Sequence, residues 1–240
     1  MPRLARFVAA LLLAATAAVA APPLPGREIA PGVREIRLPD GHVYRGGVKD
    51  GMLDGHGEVT GPEYSYEGGF REGLKEGRGV QRWRGGDAYE GFFAEDRPEG
   101  LGEYRFANGD RYQGRVRAGV MEGQGTYTQR NGDAFEGRFV AGRLEGFGTL
   151  RFANGDSYVG DIRGGRIEGY GRYREASGDV VEGTFRDGRV DGRGRVEYAN
   201  GDRYEGELRA SRPHGQGVLR PAEGAAWAGE FRDGHSWKPD

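Results

Sequence analysis

Residues Phe135–Ser157 read F-E-G-R-F-V-A-G-R-L-E-G-F-G-T-L-R-F-A-N-G-D-S, and a shift of 23 residues in either direction nearly reproduces them. An aromatic or apolar residue opens each unit: Tyr66, Tyr89, Tyr112, Phe135, Tyr158, Val181, Tyr204 and Trp227, with Tyr44 one residue out of step. Two places after every opener stands a glycine, from Gly46 to Gly229. Self-similarity at a fixed period of this length marks a repeat architecture. It accounts for the chain from about residue 36 onward.

Each unit reads as two strands. Tyr112-Gln113-Gly114-Arg115-Val116 alternates apolar or glycine residues with polar ones, the period-two pattern of a strand with one covered face. A loop carrying Gly119 follows, then a second strand over roughly 123–129 with Gly125 and Tyr127 on one face. Asn131-Gly132 then turns the chain, as do Asn108-Gly109, Asn154-Gly155 and Asn200-Gly201. Asn-Gly predicts a type I′ hairpin turn, with φ > 0 at both central residues. No segment after the first twenty residues has a helical apolar period. The expected fold class is all-β: an elongated single-layer antiparallel β-meander of tandem hairpins, roughly 80 Å long at the usual strand spacing. Glycine in the Gly114 slot lets a ring lie flat on the backbone, and close approach of another group is a common reason for glycine in a strand. Each repeat then buries its rings against its neighbours, so stability adds up from nearest-neighbour terms.

Composition agrees with a thin-cored repeat protein. There are 47 glycines in 240 residues and the apolar fraction is only 36%. The formal net charge is −2, or −4 without Arg3 and Arg6. Such balance offers no global electrostatic reason to bind nucleic acid. The absence of cysteine excludes disulfides and thiolate metal sites.

The first twenty residues carry a different signal. Arg3 and Arg6 precede an apolar run from Phe7 to Ala18, and Ala18-Val19-Ala20 is a small-x-small site. This pattern predicts a signal peptide over 1–20, cleaved near Ala20. The apolar run is shorter than the ~20 residues a spanning helix needs. The expected location is therefore exported, periplasmic or secreted. Residues 21–35 begin A-P-P-L-P-G and read as a proline-rich linker. The array is expected over 36–237 as eight or nine units with capping half-repeats at each end, Ile36-Arg37-Leu38-Pro39-Asp40-Gly41 at the start and Trp237 at the finish. Residues 238–240 form a short tail.

The unit Y-E-G-x-F-x-x-G-x-x-x-G-x-G-x-x-x-x-x-x-N-G-D resembles the MORN repeat. Its core stands residue by residue in Tyr66-Glu67-Gly68-Gly69-Phe70 with Gly77-Arg78-Gly79, and in Tyr204-Glu205-Gly206-Glu207-Leu208 with Gly215-Gln216-Gly217. Departures are local: Val181 for the opening aromatic, Asp96 and Ser211 for the loop glycine, and a shortened unit around 60–65. The resemblance implies a β-hairpin array used for protein–protein scaffolding or for attachment to membranes and lipids. Enzymes of the family carry a separate catalytic domain, for which no stretch remains here.

Two candidate surfaces follow. The ring column Tyr66, Tyr89, Tyr112, Phe135, Tyr158 and Tyr204 is mostly core, but a one-layer sheet is expected to leave it partly open as a groove for a peptide, a glycan strand or a second copy. The basic stripe Arg71, Arg117, Arg163, Arg186 and Arg209 reads either as a surface for anionic headgroups or as cross-strand charge pairing with the Glu67 column. The aspartates Asp87, Asp110, Asp133, Asp156, Asp179 and Asp202 share one repeat position. A calcium ladder is the sharp reading; the favoured one is that each Asp accepts backbone N–H groups at its own turn. The four histidines are not paired at metal-ligand spacing. The functional expectation is a non-enzymatic exported scaffold without catalytic residues, metal or cofactor, binding a protein partner or itself. The alternative is a membrane, lipid or cell-envelope attachment module.

Overall fold

The computed structural model describes residues 26–236. The expected signal peptide, the start of the linker, Trp237 and the tail lie outside the described residues. The chain divides into two compact units, up to Arg130 and from Asn131. The first holds β1 (Gly26–Ala30), β2 (Val33–Arg37), β3 (Val43–Lys49), β4 (Met52–Thr60), β5 (Tyr64–Arg71), β6 (Leu74–Trp83), β7 (Ala88–Ala94), β8 (Arg97–Arg105), β9 (Arg111–Arg117) and β10 (Val120–Thr128). The second holds β11 (Ala134–Val140), β12 (Arg143–Arg151), β13 (Ser157–Arg163), β14 (Arg166–Arg174), β15 (Val180–Arg186), β16 (Arg189–Glu197), β17 (Arg203–Arg209), β18 (Arg212–Arg220), β19 (Trp227–Arg232) and β20 (His235–Ser236). Within each unit successive strands pair antiparallel in chain order, an all-β meander, and the described residues contain no helix.

The stretch read as linker is a hairpin from Gly26 onward. Arg27 pairs with Glu35 and Glu28 with Arg34, and β2 pairs in turn with β3. Gly32, at φ +73°, makes the turn that the proline count obscured.

The strand alternation is as expected. In β13 Tyr158, Gly160 and Ile162 are buried, while Val159, Asp161 and Arg163 are exposed. Each opening tyrosine lies across two paired glycines. A Cβ built on Gly160 would sit 2.5 Å from the Tyr158 hydroxyl and 2.4 Å from Gly171 Cα. The hydroxyl then donates to the carbonyl three residues on, as Tyr158 does to Asp161 (2.8 Å) and Tyr112 to Arg115 (2.7 Å). The phenylalanine four places after an opener wedges edge-on between two openers. Phe70 lies 5.2 Å from Tyr66 and 5.1 Å from Tyr44, and Phe93 lies 5.3 Å from Tyr89 and 4.9 Å from Tyr66. This herringbone is the nearest-neighbour term in physical form, since such edge-to-face pairs add to plain area burial.

The two loops of each repeat are exchanged relative to expectation. At Asn108-Gly109 only Gly109 has positive φ (+92°). Phe106 accepts from Gly109 N and donates to Asp110 O, so three residues form the loop. A three-residue loop takes a type I turn followed by a left-handed glycine. The type I′ turns lie at the other end: Ala118 (φ +48°) and Gly119 (φ +82°) join the paired residues Arg117 and Val120.

The aspartates also differ from expectation in their reach. Asp110 Oδ1 accepts Arg130 N and Asp156 Oδ1 accepts Ala176 N, each twenty residues on, at the following turn. The own-turn amide of Asp110 is taken by Asn108 Oδ1 instead. Along the opposite edge Glu99 accepts Ala118 N, Glu145 accepts Gly164 N and Asp191 accepts Ala210 N. These carboxylates thus staple each hairpin to the next through charge-assisted hydrogen bonds.

Candidate binding face

The ring face is closed. Tyr66, Tyr89, Tyr112, Tyr158 and Tyr204 are at most 1% exposed and Phe135 only 7%. The expected groove of half-open rings is therefore absent, because the glycine pairs let each ring sink onto the backbone and the interposed phenylalanines cover what remains. Burial pushes the hydroxyls of Tyr66, Tyr89, Tyr112, Tyr158 and Tyr204 up to about 12.

One polar cluster interrupts this core. Lys75, buried, donates to Gln81 Oε1 (2.9 Å), and its ammonium stands 4.1 Å from the Tyr64 ring centroid. Burial draws the ammonium down to about 8, against an upward pull from Asp96. The His42 ring packs 4.4 Å from Tyr64.

The basic stripe is exposed at the ends of the first strands, beside the type I′ turns. Arg71 pairs with Glu76. Among the described residues Arg117, Arg163, Arg186 and Arg209 make no ion pair. The expected pairing with the Glu67 column does not occur, because register sets like against like. Arg163 faces Arg166, Arg186 faces Arg189 and Arg209 faces Arg212. The acids at this edge are engaged with backbone amides instead, Asp191 among them.

The remaining surface is the rest of the face opposite the rings, whose exposed apolar residues the charge pattern did not single out. In the first unit Phe92 on β7 and Leu101 on β8 stand exposed, Leu101 at 60%. The Arg78 guanidinium lies 5.2 Å from the Phe92 centroid, and Arg115 faces Leu101. A parallel row carries Glu58 opposite Glu67 and Glu90 opposite Glu103. In the second unit Phe147 and Tyr170 are exposed, with Asp161 beside both. Leu101, Phe147 and Tyr170 all occupy the x of G-x-G, one step out of phase with the buried ring. A large apolar residue in an outward slot was the available signal.

The MORN repeat model matches residues 44–65, 66–88, 89–111, 112–134, 135–157, 158–180, 182–203 and 204–221. The chain belongs to the MORN repeat family. Its hairpins at 26–37 and after residue 221 extend the MORN array beyond the matched stretch. No curated protein matches the chain. Among solved structures, the TCP domain of Drosophila melanogaster SAS-4 in complex with a proline-rich motif of Ana2 is similar at 17% identity, over 80% of this chain and 94% of that one, with a TM-score of 0.39. The TCP10 domain of Danio rerio CPAP in complex with a STIL peptide is similar at 13% identity, over 86% and 99%, with a TM-score of 0.36. Likeness at this level adds nothing to the MORN assignment.

Proposed function

We propose that this MORN array is a non-enzymatic scaffold that holds a protein partner on the face opposite its rings. The observation that carries the reading is the Phe92–Leu101 pair in the first unit. Two large apolar side chains stand exposed on neighbouring strands, framed by Arg78 and Arg115 and bordered by four glutamates. Clustered exposed apolar side chains mark interaction sites, and flanking charge selects among partners. The partner's complement is an apolar anchor, since the charges around the pair are of both signs and Glu90 and Glu103 are met by Arg105 and Arg111. A Phe92→Asp/Leu101→Asp variant tests this against the full chain. The expected result is that a protein retained by the native chain from the exported fraction of its own cell is lost by the variant, while Val140→Asp retains it. Equal retention by all three would remove this face from consideration. Sedimentation velocity of the native chain separates a foreign partner from a second copy.

The leader pattern supports placing the protein outside the cytoplasm, and N-terminal sequencing of the mature chain is expected to begin at Ala21. A second reading has its own observation. Three successive hairpins in the second unit present arginines directly opposite arginines. Like charges opposed in this way cost stability, and an anionic surface would relieve them. Attachment to a lipid or envelope surface predicts co-sedimentation with anionic but not neutral liposomes, fading with salt. Absence of sedimentation at low salt eliminates this reading.

A further inference from the structure

The outer face of residues 131–236 carries two exposed aromatic rings, Phe147 and Tyr170, beside a row of paired glycines of the kind the first unit also has. Gly183, Gly194, Gly206, Gly217 and Gly229 pair in one continuous row across β15–β19. Their side-chain positions turn inward, so the outer surface of this row is bare main chain. The residues on either side of each glycine point outward and form two banks. One bank holds Arg193, Glu207 and Gln216; the other holds Glu182, Arg195 and Glu205. Between them runs a trough of about 780 Å³ that crosses the strands. Tyr170 stands at its head, 58% exposed, with its hydroxyl bonded to Glu182. Phe147, 67% exposed, stands on the same side of the glycine row two strands earlier. Two strand spacings place the bases of these rings about 10 Å apart.

We propose that this trough binds a neutral, β-linked polysaccharide chain laid across the strands. The charge is balanced, since Arg193, Arg195 and Arg220 are met by Glu182, Glu205 and Glu207. Balance of this kind favours an uncharged ligand over a polyanion or a polycation. Each hydroxyl of a sugar is both donor and acceptor, and alternating guanidinium and carboxylate groups supply both complements. The flat apolar face of a β-linked pyranose matches an exposed aromatic ring. In a β-linked chain that face turns to the same side at every second sugar, a repeat commensurate with the two rings. A peptide crossing the sheet fits less well. The main-chain groups of β15–β19 are engaged in ladders, so a crossing peptide would find no strand edge to pair with. The proposal is independent of the protein-partner reading, which rests on Phe92 and Leu101.

The test is titration calorimetry of the full chain with cellohexaose and with the hexamer of β-1,4-linked N-acetylglucosamine. Maltohexaose, α-linked, is the linkage control, and a neutral unstructured peptide of similar length is the polymer control. At least one β-linked hexamer is expected to bind and maltohexaose is not. Tyr170→Ala and Phe147→Ala are each expected to weaken binding about tenfold. Tyr170→Phe keeps the ring and is expected to retain most of it, and Phe92→Asp/Leu101→Asp is expected to leave it unchanged. Both aromatic positions are exposed, so melting temperatures of the alanine variants close to native are expected and separate lost binding from lost fold. The proposal is overturned by no binding of either β-linked hexamer at millimolar concentration, by equal binding of maltohexaose or of the peptide, or by native affinity in both alanine variants.

Discussion

At the residue scale, glycine meets two different demands within one repeat. Gly160 makes room: an added methyl would meet Gly171 Cα at 2.4 Å and the Tyr170 carbonyl at 2.6 Å, both of them main chain. At Gly137 the nearest atom is the end of Leu144, 3.0 Å away, and the residue sits at φ +156°, so conformation as well as space calls for glycine there. Gly160→Ala is therefore expected to lower stability by roughly 3 kcal/mol in denaturant titrations, and by more than Gly85→Ala, where an added methyl would meet nothing within 4 Å. Equal losses would sink the close-approach argument. Gly169, at φ +101°, serves conformation as well as space, where the register of β13 and β14 slips and an added methyl would meet Asp161 at 2.7 Å. The reverse case is Ala118, held at φ +48° in a type I′ turn. Asparagine tolerates that region better than alanine, so Ala118→Asn is expected to stabilise by about 0.5 kcal/mol. Lys75 is the core's other local cost. Its ammonium titrates at about 8 in the fold, below the ordinary lysine range, so the unfolded chain binds more protons between roughly pH 8 and 10.5. Stability is expected to rise with pH across that window. Lys75→Met/Gln81→Leu, which restores the apolar character of Leu144 and Leu150, should abolish the rise.

At the element scale, the hairpins are joined along both edges by carboxylates. Asp156 accepts from Ala176 N at 2.8 Å and from the Tyr173 hydroxyl at 2.6 Å, and the latter bond holds its carboxyl below the usual aspartate range. A depressed carboxyl contributes stability that is present above the ordinary range near pH 4 and is lost as pH falls through the lowered value. Stability is accordingly expected to decline on acidification below about pH 4. Asp156→Ala, which leaves the Ala176 amide without this acceptor, should cost about 1–2 kcal/mol at neutral pH and flatten the acid limb. The serine and aspartate that replace loop glycines play the same stapling part. Ser211 Oγ accepts Val190 N and Asp96 Oδ1 accepts Lys75 N, so these departures from the repeat gain an inter-hairpin bond in exchange for left-handed strain.

At the scale of the whole molecule, the buried tyrosines that open six of the units set the alkaline limit. Tyr44, Tyr66, Tyr89, Tyr112, Tyr158 and Tyr204 are each pushed up to about 12 by burial, whereas unfolded tyrosine ionises near 10. The unfolded chain loses those protons first, so stability is expected to fall steeply as pH rises from about 10 towards 12, in a circular-dichroism melt series. The sequence by itself determined the repeat, the strands and the identity of the buried ring, because a period of 23 and an alternation of two are local facts written in residue order. It also located the turns within the repeats, though not the one at Gly32. Which turn is type I′ depended on loop length, and that is decided by which residues pair across the strands. Tertiary structure alone decided that the tyrosines are shut, since closure needs Phe70 and its equivalents wedged between openers of neighbouring repeats. It alone decided that Arg163 faces Arg166 rather than a glutamate, a consequence of hairpin register. The reach of Asp110 to an amide twenty residues away, and the trough between two banks of side chains, exist only once successive hairpins lie side by side. Contacts between repeats join residues about one period apart, and no local pattern encodes which atoms will meet there.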